Sequence, residues 1–146
     1  LEPEKLFRKF LEFRQNIGME VLDLNSRSIA TLSQRARSGK MIALVADRDL
    51  SRSGVEVELA GHVAKFPAGP ALLAIQTGAA LITAFIRYEE NGIHIKFHDE
   101  ISVPEAGDNQ SKVRQMTQEI ANRFGSELEK DPVDWHMLQR IWPDLG

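Results

Sequence analysis

The sequence predicts an α/β domain in which a sheet is flanked by helices. Helical and strand-like hydrophobic patterns alternate along all 146 residues, without internal repeats or low-complexity segments. One apolar run, Met41 to Ala46, has no periodicity, which indicates a strand buried on both faces. Asn91-Gly92 separates two apolar runs and indicates a β-hairpin. Residues 1–146 are therefore interpreted as a single domain.

The composition excludes several classes of protein. A net charge of −3 argues against a general nucleic-acid binder, which needs a concentrated basic face. Without cysteine there is no disulfide framework, thiolate nucleophile or cysteine metal site, which fits the cytoplasm. The longest apolar tract, Ala71 to Ile86, is interrupted by Gln76-Thr77-Gly78 and is shorter than the roughly 20 residues of a spanning helix. Any membrane contact is therefore expected at the surface.

Residues 3–16 predict an amphipathic helix that Gly18 ends. Its apolar residues are interleaved with lysine and arginine, as in a helix that lies near anionic lipid. An ordinary amphipathic helix with a solvated face shows the same spacing. Glu2, Glu4 and Glu12 offset most of the positive charge, and this favours the ordinary helix.

The remaining elements follow in order. The first half continues with a strand from Met19 to Leu24, a helix from Ser26 or Ser28 to Arg37, the buried strand, and a half-exposed strand from Val55 to Leu59. The second half continues with an irregular stretch from Gly61 to Phe66, a helix from Ala71 to Gln76 that Pro70 begins, and strands from Ala80 to Tyr88 and Ile93 to His98. A long helix from Ser111 to Lys130 and a short one from Trp135 to Ile141 complete the chain. The long helix carries an apolar stripe of Val113, Met116, Ile120, Phe124 and Leu128.

The strongest local signal is Asp47-Arg48-Asp49, directly after the buried strand. In open α/β sheets, ligands bind at the carboxyl ends of strands. Asp47 and Asp49 could chelate Mg²⁺ or Mn²⁺, as the D-x-D motif of many glycosyltransferases does, although neighbouring arginines neutralise such carboxylates. The charges could instead form a salt-bridge network. A third interpretation is that one carboxylate orients a histidine from elsewhere, while Arg48 and Arg52 hold an anionic group.

The histidines of the chain do not predict a catalytic base of their own. His94 and Asp99 have the spacing of a histidine-acid motif, but residues five apart on a strand point to opposite faces. His136 lies among Trp135, Leu138 and other apolar residues that indicate a packed helix. The sequence also lacks a serine nucleophile elbow, a glycine-rich phosphate loop and a histidine zinc pair.

Several blocks together carry a resemblance to a known family. They are residues 46–57 (ADRDLSRSGVEV), 67–71 (PAGPA), 77–81 (TGAAL) and 134–139 (DWHMLQ), with Phe13-Arg14 and residues 17–21. With these blocks the chain resembles the actinobacterial phosphatidylinositol mannoside acyltransferases. More broadly it is similar to the bacterial lipid A (lauroyl/myristoyl) acyltransferase family of the glycerolipid acyltransferase superfamily. The resemblance covers nearly the whole chain.

The resemblance implies an enzyme that transfers a fatty acyl group from acyl-CoA to a mannose hydroxyl of phosphatidylinositol mannoside, without a metal or other cofactor. It also implies a peripheral protein at the cytoplasmic face of the plasma membrane. In the family the catalytic histidine belongs to a histidine, four residues, aspartate motif in the amino-terminal half. This chain begins at Leu1 after that motif. It is therefore expected to be the carboxy-terminal part of an acyltransferase domain and to be inactive alone. The alternatives are a metal-dependent glycosyltransferase-like domain that uses Asp47 and Asp49, and a non-catalytic lipid-binding domain.

The resemblance also assigns roles to residues. Asp47 fills the position of an acidic residue that faces the catalytic histidine. Glu56 is an alternative for this role, because the alternation of its strand does not show in which direction its side chain points. The resemblance places Arg14 near the polar head of the substrate. From their charge and position rather than from the resemblance, Arg48, Asp49 and Arg52 are further candidates for substrate binding. Residues 59–62 (LAGH) depart from the family, whose members usually have two phenylalanines, glycine and an acid there.

Overall fold

The computed structural model describes residues 4–22, 26–49, 53–143 and 145. Four helices and four strands lie in these ranges: α1 (Glu4–Asn16), α2 (Ser26–Arg37), β1 (Val55–Leu59), β2 (His62–Phe66), α3 (Gly69–Thr77), β3 (Ala84–Glu89), β4 (Gly92–Phe97) and α4 (Asn109–Lys130). The predicted mixture of helices and strands is confirmed. The strands form two separate two-stranded antiparallel sheets rather than one sheet. In the same ranges, no helix combines the length and the apolarity needed to cross a bilayer.

The first sheet is a tight hairpin of β1 and β2. Leu59 pairs with His62, so the loop contains only Ala60 and Gly61. Both loop residues have positive φ, 52° and 80°, as a type I′ turn requires. The prediction that residues 61–66 are irregular is therefore wrong. The sequence contains no turn signal there because the first turn residue is alanine, whereas asparagine or glycine usually occupies that position.

Replacing Ala60 by asparagine is expected to stabilise the protein. Alanine in the left-handed region costs about 1 kcal/mol, whereas the asparagine side chain tolerates it through local hydrogen bonds. Urea unfolding should show an increase of up to about 1 kcal/mol in the free energy of unfolding. Ala106→Asn, in a loop where the backbone φ is negative, is the matched control. Equal effects of the two substitutions would contradict the assignment of strain to Ala60.

The second sheet is the hairpin of β3 and β4, which was predicted from Asn91-Gly92. The loop itself is Glu90-Asn91, because Gly92 already pairs with Glu89 as the first residue of β4. Tyr88 pairs with Ile93 and Ala84 with Phe97. The first strand begins at Ala84 rather than at Ala80. The segment before it still bonds the chain after β4, since His98 N donates to Thr83 O at 3.0 Å and Ile101 N to Leu81 O at 2.8 Å.

The core lies between α4 and the β1–β2 hairpin. The predicted stripe of α4 is confirmed, with four of its residues buried and Phe124 packed against the core. Its partners include Leu59 and Phe66, two of the largest fully buried side chains. Gln118 on α4 also closes the edge of β1, because its side-chain amide bonds both Glu58 N and Glu58 O at 2.9 Å. Asp108 caps the helix by accepting from Ser111 N at 2.8 Å.

The buried strand predicted at Met41–Ala46 is absent. These residues are in no β-ladder, and Met41 and Val45 are 92% and 88% exposed. A β-strand forms by pairing with a neighbour, and none of β1 to β4 pairs with this segment. The strand predicted from Met19 to Leu24 is also absent over residues 19–22, while Asp23 and Leu24 lie outside the described residues.

The last predicted helix, Trp135 to Ile141, is not helical either. The chain leaves α4 at Asp131 and turns, with Trp135 N donating to Pro132 O at 3.1 Å. Its aromatic residues instead make long-range contacts, which override the helical spacing. Trp142 Nε1 donates to Leu59 O at 3.1 Å, and the rings of Trp135 and Trp142 are 5.9 Å apart. The segment after α4 therefore packs over the core as an irregular strap.

Candidate functional site

An apolar pocket of about 280 Å³ lies among several parts of the fold. Its walls come from the 44–47 segment, the two hairpins, α4 and the chain after α4. The lining residues are Leu44, Val45, Ala46, Asp47, Leu59, Phe66, Ala84, Phe85, Ile86, Phe124, Leu128, Asp134 and Trp135. Only two of these side chains are charged. The pocket therefore suits an apolar ligand that a few polar groups bind and orient.

Asp47 is the polar group of greatest interest in this pocket. Its Oδ2 atom accepts a hydrogen bond from Trp135 Nε1 at 2.9 Å. Its Oδ1 atom is buried and has no hydrogen-bond partner among the described residues. A buried acceptor without a partner costs about 1–3 kcal/mol, so this oxygen is poised to accept from a donor that enters the pocket.

The two residues after Asp47 are held by different parts of the chain. The guanidinium of Arg48 donates to Gln139 Oε1 and lies 3.5 Å from Met137 Sδ. Asp49 N donates to Lys65 O at 2.6 Å, which fastens the loop to β2. A Cβ added to Gly54 would come within 3.0 Å of the Asp49 Cβ, so only glycine fits there without a shift. The loop is thus tied to β2 and to the terminal strap.

Two other predicted site residues that the structure describes, Arg14 and Glu56, do not line this pocket. Arg14 is exposed in the last turn of α1. Glu56 is on the exposed face of β1, opposite Lys65, while Val57 and Leu59 face the core. The alternation shows that Glu56 is on the solvent face of β1, which the sequence alone left undetermined. Arg52 lies outside the described residues.

The described ranges contain no group of three or more histidine, cysteine, aspartate or glutamate side chains that could hold a metal ion. The carboxylate of Asp47 accepts from Trp135 Nε1, while the backbone N–H of Asp49 donates to Lys65 O. The arrangement gives no specific support to the metal-chelating interpretation of these two carboxylates.

Sequence reasoning missed the pocket contributions of Asp134 and Trp135. Asp134 Oδ2 accepts from Tyr88 N at 2.6 Å and so bonds the strap to β3. Trp135 was assigned to a helix, where its indole N–H would have no defined partner. A buried tryptophan usually finds an acceptor for that N–H, and this preference is the signal that could have linked it to a carboxylate.

A second polar cluster, Thr83, His98 and Glu127, joins the β3–β4 hairpin to α4. Thr83 Oγ1 is 3.0 Å from His98 Nδ1, and His98 Nε2 is 3.3 Å from Glu127 Oε1. Lys96 Nζ donates to the same Glu127 oxygen at 2.6 Å. The bond from Lys96 lowers the pKa of Glu127 from its ordinary 4.5 to about 2, against burial, with help from His98 and Lys130. These hydrogen bonds and ion pairs link two walls of the pocket, the β3–β4 hairpin and α4. We call this cluster of Thr83, Lys96, His98 and Glu127 the Glu127 clamp.

The Glu127 clamp predicts an acid-sensitive contribution to stability. Because folding lowers the pKa of this carboxyl, its contribution is complete above about pH 4.5 and is lost as pH falls toward 2. The stability advantage of the wild type over Glu127→Gln should therefore shrink across that window in urea unfolding. Glu129→Gln, at an exposed position of the same helix, is the matched control. An advantage over Glu127→Gln that is independent of pH would contradict the prediction.

Comparison with known proteins places this arrangement in context. Residues 1–143 match the family model described as bacterial lipid A biosynthesis acyltransferase. The chain is 41% identical over 145 residues to a protein of Mycolicibacterium smegmatis named phosphatidylinositol mannoside acyltransferase. It is 38% identical over 145 residues to a protein of Mycobacterium tuberculosis strain H37Rv with the same name.

The matches cover a much larger share of this chain than of its relatives. The alignments include 97% of this chain but only 46% of the M. smegmatis protein and 44% of the M. tuberculosis protein. The chain thus spans less than half the length of the curated relatives it matches.

Proposed function

Because the chain belongs to the bacterial lipid A biosynthesis acyltransferase family, we propose that it contributes to the transfer of a fatty acyl group from acyl-CoA to a mannose hydroxyl of phosphatidylinositol mannoside. The acceptor is suggested by the names of the mycobacterial relatives. The enzyme works as a peripheral protein at the cytoplasmic face of the plasma membrane.

The observation that carries the proposal is the unpartnered Oδ1 atom of Asp47 beside an apolar pocket. A donor is needed there, and the N–H of an imidazole supplies one. None of the four histidines of this chain lines the pocket. The catalytic histidine of the proposal therefore belongs to polypeptide outside these 146 residues, in keeping with the limited coverage of the relatives.

In the proposed mechanism, Asp47 orients the imidazole and stabilises its protonated form. The other ring nitrogen takes the proton of the mannose hydroxyl as the oxygen attacks the thioester carbonyl. The new C–O bond forms, the C–S bond of acyl-CoA breaks, and the imidazolium returns the proton to the departing coenzyme A thiolate. Asp47 is thus a positioning residue in this proposal.

The apolar lining gives the pocket a second use in the proposal. Leu44, Phe85 and Leu128 present hydrocarbon surface beside Asp47, as an alkyl chain near the thioester requires. An apolar surround also excludes water, which would otherwise compete with the mannose hydroxyl for the acyl group. Arg14, with Arg48, Asp49 and Arg52 as further candidates, contacts the polar part of the substrates.

Glu56 is the rival of Asp47 as the partner of the histidine. It lies on the exposed face of β1 beside Lys65, where an imidazole from outside the chain would have free access. The two alternatives place the histidine on opposite sides of the hairpin, so substitution of each acid separates them.

The experiment that tests the proposal is a chimera. The aligned segment of the M. smegmatis relative is replaced by this chain, and transfer from radiolabelled acyl-CoA to phosphatidylinositol mannoside is measured. Activity comparable to that of the intact relative supports the proposal. A well-folded chimera without transfer, beside an active relative in the same assay, would count against it.

The 146-residue chain alone is expected to be inactive in that assay, because the histidine base lies outside it. Turnover above background, retained after further purification, would show that the base is within the chain. In that case the assignment of the base is wrong, even though the family is unchanged.

A further inference from the structure

Helix α1 has two apolar sides, of which only one is covered. Phe7 and Leu11 are half-buried, and every other residue of α1 is exposed. Leu6, Phe10 and Phe13 are 50%, 52% and 62% exposed, and Ile17, one turn further on, is 60% exposed. Ile17 N donates to Phe13 O at 3.2 Å, so the helical path continues to it. These four residues form what we call the exposed stripe.

The charges of α1 are arranged around this stripe by sign. At about 100° per residue, Lys9 and Arg14 lie about 70° to either side of its centre. Glu4 and Glu12 lie about 150° and 130° away, on the opposite face of the helix. Glu4 is also paired with Arg8 there, at 2.5 Å. The stripe is therefore bordered by two cations, and the two acids within α1, Glu4 and Glu12, are remote from it.

We propose that the exposed stripe of α1 docks on a bilayer surface that carries anionic phospholipid headgroups. Phe10 and Phe13 enter the interface, and Lys9 and Arg14 contact headgroup phosphates on either side. This combination of an apolar stripe and a basic border is typical of helices that lie in the plane of a membrane. The net charge of the helix conceals this basic border, because Glu4 and Glu12 count fully in the sum although they lie on the opposite face.

The charge arrangement favours a lipid surface over a second copy of this chain. A second copy would meet the stripe with the same cationic border, while Glu4 and Glu12 lie on the far side of each helix and cannot neutralise it. An anionic surface supplies the missing charge along the whole border. Docking would also hold Arg14 at the level of lipid headgroups; this last point rests on the proposed function, in which Arg14 contacts the polar substrate.

The test is flotation of the 146-residue chain with vesicles of phosphatidylcholine, with and without phosphatidylglycerol. The chain is expected to float with the phosphatidylglycerol vesicles, and Phe10→Ser with Phe13→Ser should weaken this binding by about a hundredfold. Lys9→Glu should weaken it by about tenfold, without changing any binding to phosphatidylcholine alone. The matched control is Tyr88→Ser with Ile93→Ser, a pair on the β3–β4 hairpin that is 70% and 58% exposed. This control should bind as the wild type does.

Failure of the chain to float, or equal losses in the α1 and hairpin pairs, would overturn the proposal. Phe10→Ser with Phe13→Ser should also weaken flotation of the chimera; no effect there would overturn the proposal as well, because the rest of the polypeptide would then cover the stripe. A wild type that is dimeric without lipid and becomes monomeric in the Phe10 and Phe13 double variant would also overturn it, since the stripe would then join two copies. Circular dichroism verifies that each variant is folded. The vesicle result does not depend on acyl transfer, so an inactive chimera would leave it standing and failure to float would leave the transfer proposal standing.

Discussion

Replacing Asp47 by asparagine in the active chimera is expected to reduce acyl transfer by about a thousandfold. Asparagine keeps the size of the side chain but removes the charge that stabilises an imidazolium, and it presents an amide that can favour the wrong tautomer. The hydrogen bond from Trp135 Nε1 can still be accepted by the amide oxygen, so the fold should be retained. The measurement is kcat/KM for acyl-CoA at saturating acceptor, with the thermal midpoint of each variant as a check on folding.

The pH profile separates positioning of the histidine from a merely structural role. Without the carboxylate, the pKa of the catalytic imidazole should fall, so the acidic limb of the pH–rate profile should move to lower pH. Trp135→Phe is the matched control, because it removes the contact to Asp47 Oδ2 but leaves the charge. It should cost about tenfold and leave the acidic limb in place.

Glu56→Gln in the same chimera decides between the two acids. If Asp47 is the partner of the histidine, Glu56→Gln should retain most of the activity and the wild-type pH profile. The reverse pattern, with a thousandfold loss at Glu56 and little at Asp47, would transfer the positioning role to the exposed face of β1. The acyltransferase proposal would then keep its chemistry but not its site.

Replacing Phe66 by alanine is expected to destabilise the protein by about 3–5 kcal/mol. Phe66 is fully buried between β2 and α4, and its ring lies 6.1 Å from that of Phe124. Truncation removes the transfer free energy of the ring and leaves a cavity that a hairpin and a helix cannot close without losing other contacts. The measurement is urea unfolding followed by circular dichroism.

Two further variants keep this stability prediction testable if Phe66→Ala fails to fold. Phe66→Leu retains most of the apolar volume and should cost less than Phe66→Ala. Phe97→Ala, at a position that is 68% exposed, should change the free energy of unfolding by no more than about 0.5 kcal/mol. A smaller loss for Phe66→Ala than for Phe97→Ala would contradict the position of the core.

Local sequence predicted those elements whose own residues supply their partners. The apolar stripe of α4, the β3–β4 hairpin and the helix that Gly39 ends all follow from contacts within a few residues. The same reasoning failed at Met41–Ala46, where the composition of a buried strand was present but no neighbouring strand was. It failed again at Trp135–Ile141, where helical spacing was overridden by contacts with Asp47 and Leu59.

By itself, the sequence determined the family, the mixed helix and strand composition, and the choice of Asp47 as a candidate, since these depend on which residues follow one another along the chain. Only the tertiary structure decided that Asp47 lies beside Trp135 in an apolar pocket, that Glu56 faces outward and that the stripe of α1 is uncovered. Burial and hydrogen bonding between residues far apart in the chain are set by packing, and no local pattern specifies which distant group a side chain meets.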